Sequence, residues 1–398
     1  MKLSYPSFNK TTLKKVHKVL QSGRVNYWTG NECKEFEKEF SNYIGNKYAV
    51  ALSNGSVALE LALSVLKFKK GDEIIVSPRS FIISASCVLR LGLKPVFADI
   101  DKNGNLSIEG IEEVYNKKVK AIIVVHLNGL SCNLDPILNF VKKKKLFLIE
   151  DCSQAHGAVY KGKKVGAFGH ISTWSFCQDK IISTGGEGGM ISTNNRRYWL
   201  KLWSLKDHGK NFNDVFHKKH KIGYRWLHDE LGSNFRMTEM QAVIGREQLK
   251  SLDKQIKQRN IIANLYLTGL KDYYQKYKIL KKPDFNYSTS ALKQVKKSNN
   301  KSVHAFYRLN LFINNKNIKQ SKLLEQLNNS NVNCGVGSCP EIYREKIFKK
   351  KMISLKKRLS NAKLLGETSL TIPINPYRSL INIRSEIKSI KKVLNKYL

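Results

Sequence analysis

Lysine is abundant in this sequence, 56 of 398 residues, so a single lysine says little by itself. Lys180 is set apart by its surroundings. It follows the short apolar run WSF and the turn CQD, and it precedes Gly185-Gly186-Glu187-Gly188-Gly189, a stretch where backbone must pass close to something. A lysine held in such a turn can be desolvated and form a Schiff base. The glycine run is not GxGxxG after a first strand, so it is no dinucleotide fingerprint. Asp151 closes the apolar run LFLIED. A carboxylate there is expected to be buried, and burial demands a cation or hydrogen bonds. It could be structural, metal-linked or the partner of a protonated pyridine nitrogen. In SNGSVALELAL, Gly55 permits a tight turn and Ser56 opens a helix, whose free N–H groups and positive dipole end suit an anion. The ordinary alternative is a serine N-cap.

These residues stand at the ends of regular elements. Apolar runs at 48–53, 73–78, 95–100, 121–126 and 146–151 alternate with helical patterns at Ser56–Leu66, Ser80–Leu91, Ser107–Tyr115 and Asp135–Lys145. Near-continuous apolar strands between helices predict an α/β layer with a mostly parallel sheet. ISTWSF (171–176) and GMIST (189–193) add two short strands, and a polar, aromatic loop runs from Asp207 to Asn234. A long helix is expected from Thr238 past Leu249, and then a helix-rich C-terminal part with a β signal at 305–313. The expected division is a large domain over 1–254 and a smaller α+β domain over 255–398. In such sheets ligands lie beyond the carboxyl ends of the strands, where Gly55, Ser56 and Asp151 fall.

Composition narrows the function classes. Forty-one per cent apolar residues suffice for a full core. No apolar stretch is long enough for a membrane span, and MKLSYPSFNK has no apolar leader core. The seven cysteines are scattered and form no CxxC, so neither a disulfide framework nor a metal site is expected. The expectation is a soluble, cytoplasmic protein with no membrane partner. The formal charge is +39, with 31 Lys/Arg against 8 Asp/Glu over residues 251–398. Lysine clusters without interleaved aromatics read as solvated surface, so no nucleic-acid partner is expected.

Taken in order, six segments resemble the DegT/DnrJ/EryC1/StrS aminotransferases: VNYWTGNECKEFEKEFSNYIG, SNGSVALELAL, RSFIISASCVLRLGLKPVFADID, EDCSQAHGA, SFCQDKIISTGGEGG and GSNFRMTEMQAVIGREQL. The resemblance implies a fold-type-I enzyme that uses pyridoxal 5'-phosphate (PLP) to aminate a nucleotide-linked keto-sugar, with glutamate as amino donor. Lys180 matches the lysine that holds PLP as a Schiff base, and Asp151 the partner of the ring nitrogen. Phe81 matches the aromatic stacked on the ring, and Gln154 the polar residue near the ring oxygen. Gly55, Ser56 and Ser175 match the phosphate cup. Asn234 matches an asparagine that reaches the phosphate from a partner subunit, which implies a homodimer with sites at the interface. Trp28 and Thr29 align with a loop bordering the sugar site, and His304 with a substrate-side histidine. His156 reads as a packed histidine. Relatives that dehydrate the sugar carry histidine in place of the lysine, so Lys180 points to amination. The chain departs from the family in GVGSCPEIYRE (335–345), which has no histidine, and in TIPINPY (371–377).

Overall fold

The computed structural model describes residues 5–283 and 301–398, apart from 352, 354 and 356. Five apolar runs become the strands β1 (Tyr48–Leu52), β2 (Glu73–Val76), β3 (Lys94–Phe97), β4 (Val119–Val125) and β5 (Phe147–Asp151). A small hairpin, β6 (Val159–Tyr160) and β7 (Lys163–Lys164), precedes β8 (Ile171–Ser175) and β9 (Gly189–Thr193). Seven of these strands form one sheet in the order β1-β9-β8-β5-β4-β2-β3. The pairings β5–β8, β4–β5, β2–β4 and β2–β3 are parallel. Only β9 runs against its neighbours in this sheet.

The strands read as unbroken apolar runs because successive side chains enter two separate cores. Ala49, Ala51, Ile122, Val124 and Leu148 pack into one core. Val50, Leu52, Ala121, Ile123 and Ile149 pack into the other. The first face is covered by α2 (Glu32–Ile44), α6 (Leu134–Lys144) and the start of the long helix from Glu239. The second is covered by α3 (Gly55–Ser64), α4 (Ile83–Arg90) and α7 (Arg196–Lys206). The remaining helices of this part are α1 (Lys10–Gln21), α5 (Ile108–Val114) and the short α8 (Phe212–Phe216).

Helix α9 (Glu239–Gly269) starts at a capping box made by Thr238 and Gln241. It runs unbroken through the expected division at 254/255. Its first half, including Leu249, Leu252 and Ile256, belongs to the large core. From Ile262 its buried face joins a third core. That core is built on an antiparallel sheet of β10 (Leu280–Lys281), β11 (Arg308–Ile313) and β12 (Ser369–Pro373). Helices α10 (Lys271–Gln275), α11 (Gln320–Asn329), α12 (Lys346–Lys350), α13 (Ser360–Thr368) and α14 (Leu380–Leu394) complete the C-terminal part. The architecture is therefore α/β with a mostly parallel central sheet and a smaller α+β domain.

Candidate active site

Beyond the carboxyl ends of β1, β2, β5 and β8 lies a cleft of ≈ 680 Å³, closed on its far side by residues of the C-terminal part. Seven of the eight sequence-derived site residues line it: Gly55, Ser56, Phe81, Asp151, Gln154, Ser175 and Lys180.

Its floor is the start of α3. Asn54, not a serine, is the N-cap; its side chain accepts the Val57 N–H at 2.9 Å. Ser56 is thereby left inside the first turn and spared from capping. A Cβ on Gly55 would stand 2.7 Å from the Cβ of Ser175, so only glycine lets the end of β8 approach the helix start this closely. The result is a serine on each side of a helix N-terminus.

Asp151 is the last residue of β5 and is 4% exposed. One oxygen accepts from the Ser84 hydroxyl at 3.3 Å, the other from the Ser153 N–H at 3.1 Å. Among the described residues it has no cationic partner. Phe81 lies in the segment between β2 and α4 and is 65% exposed, so it is not a core residue. Gln154 is buried, and its Oε1 accepts the Asn128 N–H at 2.9 Å.

Lys180 stands in the turn after β8, fixed by its N–H donating to the Cys177 carbonyl. Its carbonyl accepts the Tyr5 hydroxyl, and its Nζ lies 3.0 and 3.2 Å from the two oxygens of Asp179. Burial alone would raise the Asp179 carboxyl, but the Lys180 charge, a hydrogen bond from Tyr307 and the nearby Arg308 hold it below the usual range. Asp179, Tyr307, Arg308 and Glu187 all line the cleft without having been singled out in the sequence. Tyr307 and Arg308 stand at the start of β11, more than 120 residues from the turn they face.

Other expected positions lie elsewhere. Asn234 is exposed and outside the cleft of its own chain; its backbone bridges to Asp207. Trp28 packs on Trp203 and Phe216 and does not line the cleft. His304 is buried, stacks on Phe306 at 3.8 Å and accepts its N–H, so it is a packing residue. His156 is likewise buried, against Trp174 and Phe176. Burial pushes both imidazoles down to about 3, with the Lys180 and Arg259 charges adding to the effect at His156.

Residues 6–388 match the model of the DegT/DnrJ/EryC1/StrS aminotransferase family. The chain belongs to that family. The crystal structure of an aminotransferase from Psychrobacter cryohalolentis superposes with a TM-score of 0.93 at 42% identity, covering 99% of this chain and 98% of that one. A GDP-perosamine synthase from Escherichia coli O157:H7 is 38% identical over 250 residues, which is 63% of this chain and 66% of that protein. An Escherichia coli GDP-4-keto-6-deoxy-D-mannose-3-dehydratase with bound hydrated PLP superposes with a TM-score of 0.84 at 25% identity, covering 98% and 100%.

The cofactor of the family is PLP, and the cleft fits it. A buried carboxylate without a counter-cation suits a protonated ring nitrogen. A helix start flanked by Ser56 and Ser175 suits a phosphate, an exposed aromatic suits a ring face, and a lysine points into the same space.

Proposed function

We propose that this protein is a PLP-dependent aminotransferase that converts a nucleotide-linked keto-sugar to an amino-sugar, with glutamate as amino donor, for cell-surface polysaccharide or related synthesis. The observation that carries this reading is the presence, in one cleft, of Lys180 and a buried Asp151 that meets no cation among the described residues. When bound, PLP supplies an aldehyde that bonds to amines and a ring that takes up negative charge from the adjoining carbon.

The chain's residues do the rest. Asp151 keeps the ring nitrogen charged, and Phe81 covers the ring. Gln154 would face the ring oxygen. Gly55, Ser56 and Ser175 hold the phosphate. Lys180 anchors the cofactor and then, released, moves a proton between the donor's α-carbon and the cofactor through its Nζ. The bound cofactor would then carry the nitrogen to the sugar ketone. A lysine at position 180 favours this over the dehydration carried out by relatives with histidine there.

We further infer a homodimer, supported by exposed Ile222, Tyr224, Trp226 and Leu231 in the segment just before Asn234. Asn234 of one chain then reaches the phosphate in the other. Seven free thiols suit a reducing cytoplasm, and among the described residues no helix is long and apolar enough to cross a membrane.

The test is incubation with L-glutamate and a panel of keto-sugar nucleotides, read by mass spectrometry. An aminated sugar nucleotide and an equal amount of 2-oxoglutarate are expected. Dehydration without nitrogen transfer would overturn the reading. For the dimer, mixing inactive Lys180→Ala and Asn234→Ala chains should restore activity, and a fully active monomer would refute it.

A further inference from the structure

Among the cleft residues outside the cofactor set, Asp179 has the most specific surroundings. The cleft also holds the carboxylates of Asp151 and Glu187, yet among the described residues only Asp179 pairs with the Lys180 ammonium, through both its oxygens. Adjacent residues on a free surface gain little from such a pair, because each side chain must be immobilised. Here the carboxylate is fixed from outside. The Tyr307 hydroxyl donates to it, and the Arg308 guanidinium lies 3.9 Å away and itself donates to the Tyr307 oxygen at 3.1 Å. The Lys180 Nζ also stands 5.5 Å over the Tyr307 ring. The turn is held on its other side, where Gln178 donates to the Gly186 carbonyl and Tyr5 donates to the carbonyls of Lys180 and Ile181.

We propose that Asp179 is the docking point of the Lys180 ammonium whenever that lysine is not bonded to the cofactor, and that Tyr307 and Arg308 hold the carboxylate in place. This rests on the reading of Lys180 as the cofactor's lysine. Asp179 is thus a positioning residue. It keeps the released amine close to the reacting carbon, so that the lysine need not search for its way back. Because Tyr307 and Arg308 belong to the C-terminal part, the placement of the lysine depends on how that part sits against the large sheet.

The test begins with the cofactor-free protein, treated with trinitrobenzenesulfonate and analysed by mass spectrometry of the Lys180 peptide, with exposed Lys10 as internal reference. Asp179→Asn is expected to raise the Lys180 labelling rate about tenfold, the scale of one lost charge-assisted contact, and Tyr307→Phe to raise it less. In the PLP-loaded protein, Asp179→Asn should lower kcat while leaving PLP affinity and the KM for the sugar nucleotide unchanged. Unchanged labelling in both variants would overturn the proposal, as would a loss of PLP affinity matching the loss of kcat. If Asp179→Asn fails to fold, Tyr307→Phe carries the same comparison. PLP trapped by borohydride on another lysine of the wild-type protein would instead refute the assignment of Lys180.

Discussion

Strand β5 ends in two neighbouring acids whose side chains face opposite sides of the sheet, and their surroundings could hardly differ more. Glu150 is fully buried and fully used. It meets the His126 Nε2 at 3.0 Å and accepts the N–H groups of Gly166, Phe168 and Gly169 at 2.6–2.8 Å. The His126 Nδ1 in turn accepts the Cys132 N–H, which leaves the Nε2 proton for Glu150. Cys152 lies beside them in a compact His/Glu/Cys group, in which His126 and Glu150 spend their polar atoms on this internal network. Asp151, almost as buried, makes two longer contacts to neutral groups and meets no cation among the described residues. One acid is finished by the fold, whereas the other is left incomplete by it. Burial does not distinguish the two acids, whereas their partners do.

Four outcomes would sharpen or break the contrast. The largest is expected from Glu150→Ala, which orphans the groups converging on it and should cost about 3 kcal/mol or more of stability in urea melts. A loss below about 1 kcal/mol would mean the network relaxes freely. Asp151→Asn should leave the melt nearly unchanged but lower the rate of donor deamination by about 10- to 100-fold, the loss of one charge-assisted contact. Near-wild-type turnover would show that the ring nitrogen has another partner.

The third outcome is the acid limb of stability. Several groups hold the Glu150 carboxyl below its usual value: burial opposes its ionisation, but His126 and the backbone N–H groups prevail. Its contribution is therefore present above the ordinary carboxylate range and lost as the pH falls through the lowered value. His156 and His304 act over a higher window. Their native values near 3 lie below the ordinary 6.5, so the unfolded chain binds protons that the native chain refuses. Stability should fall progressively from about pH 6.5 towards pH 3, and His156→Phe should flatten that slope, as read by melts across the range. An unchanged slope would mean water reaches the imidazole. The smallest effect is expected from Phe81→Leu, which keeps an apolar cover but removes the stacking face. PLP affinity should weaken by only a few-fold by fluorescence titration, on the scale of about 0.5–1.5 kcal/mol for an aromatic contact.

Much of this was legible in the chain because it is local. Apolar runs placed the strands of the large sheet, with ends off by at most three residues, and the strand-end rule placed Asp151, Gly55 and Ser56 in one crevice. The discrepancies have local causes too. The helix expected from Ser80 begins only at Ile83, since Ser80 and Phe81 form the cleft wall instead. The strand expected from Ala305 begins at Arg308, because Phe306 has φ 44° and breaks the extended run. The segment from Asp207 to Asn234 reads as loop yet contains α8, whose Phe212 and Phe216 pack on Trp203. What the sequence hid is non-local. Nothing in the string AFYRLN says that Tyr307 and Arg308 will meet Asp179, and nothing around His304 says that its ring will be stacked away from the cleft. The tertiary placement of the segment that leads into β11 decides both.

Lys180, one of 56 lysines, is proposed here as the residue that takes the cofactor. Its most direct test is to load the protein with PLP, reduce it with borohydride and map the modified peptide by mass spectrometry. A single stoichiometric pyridoxyl group on Lys180, absent from Lys180→Ala, is expected. Stoichiometric modification of any other lysine, or undiminished trapping in Lys180→Ala, would contradict it.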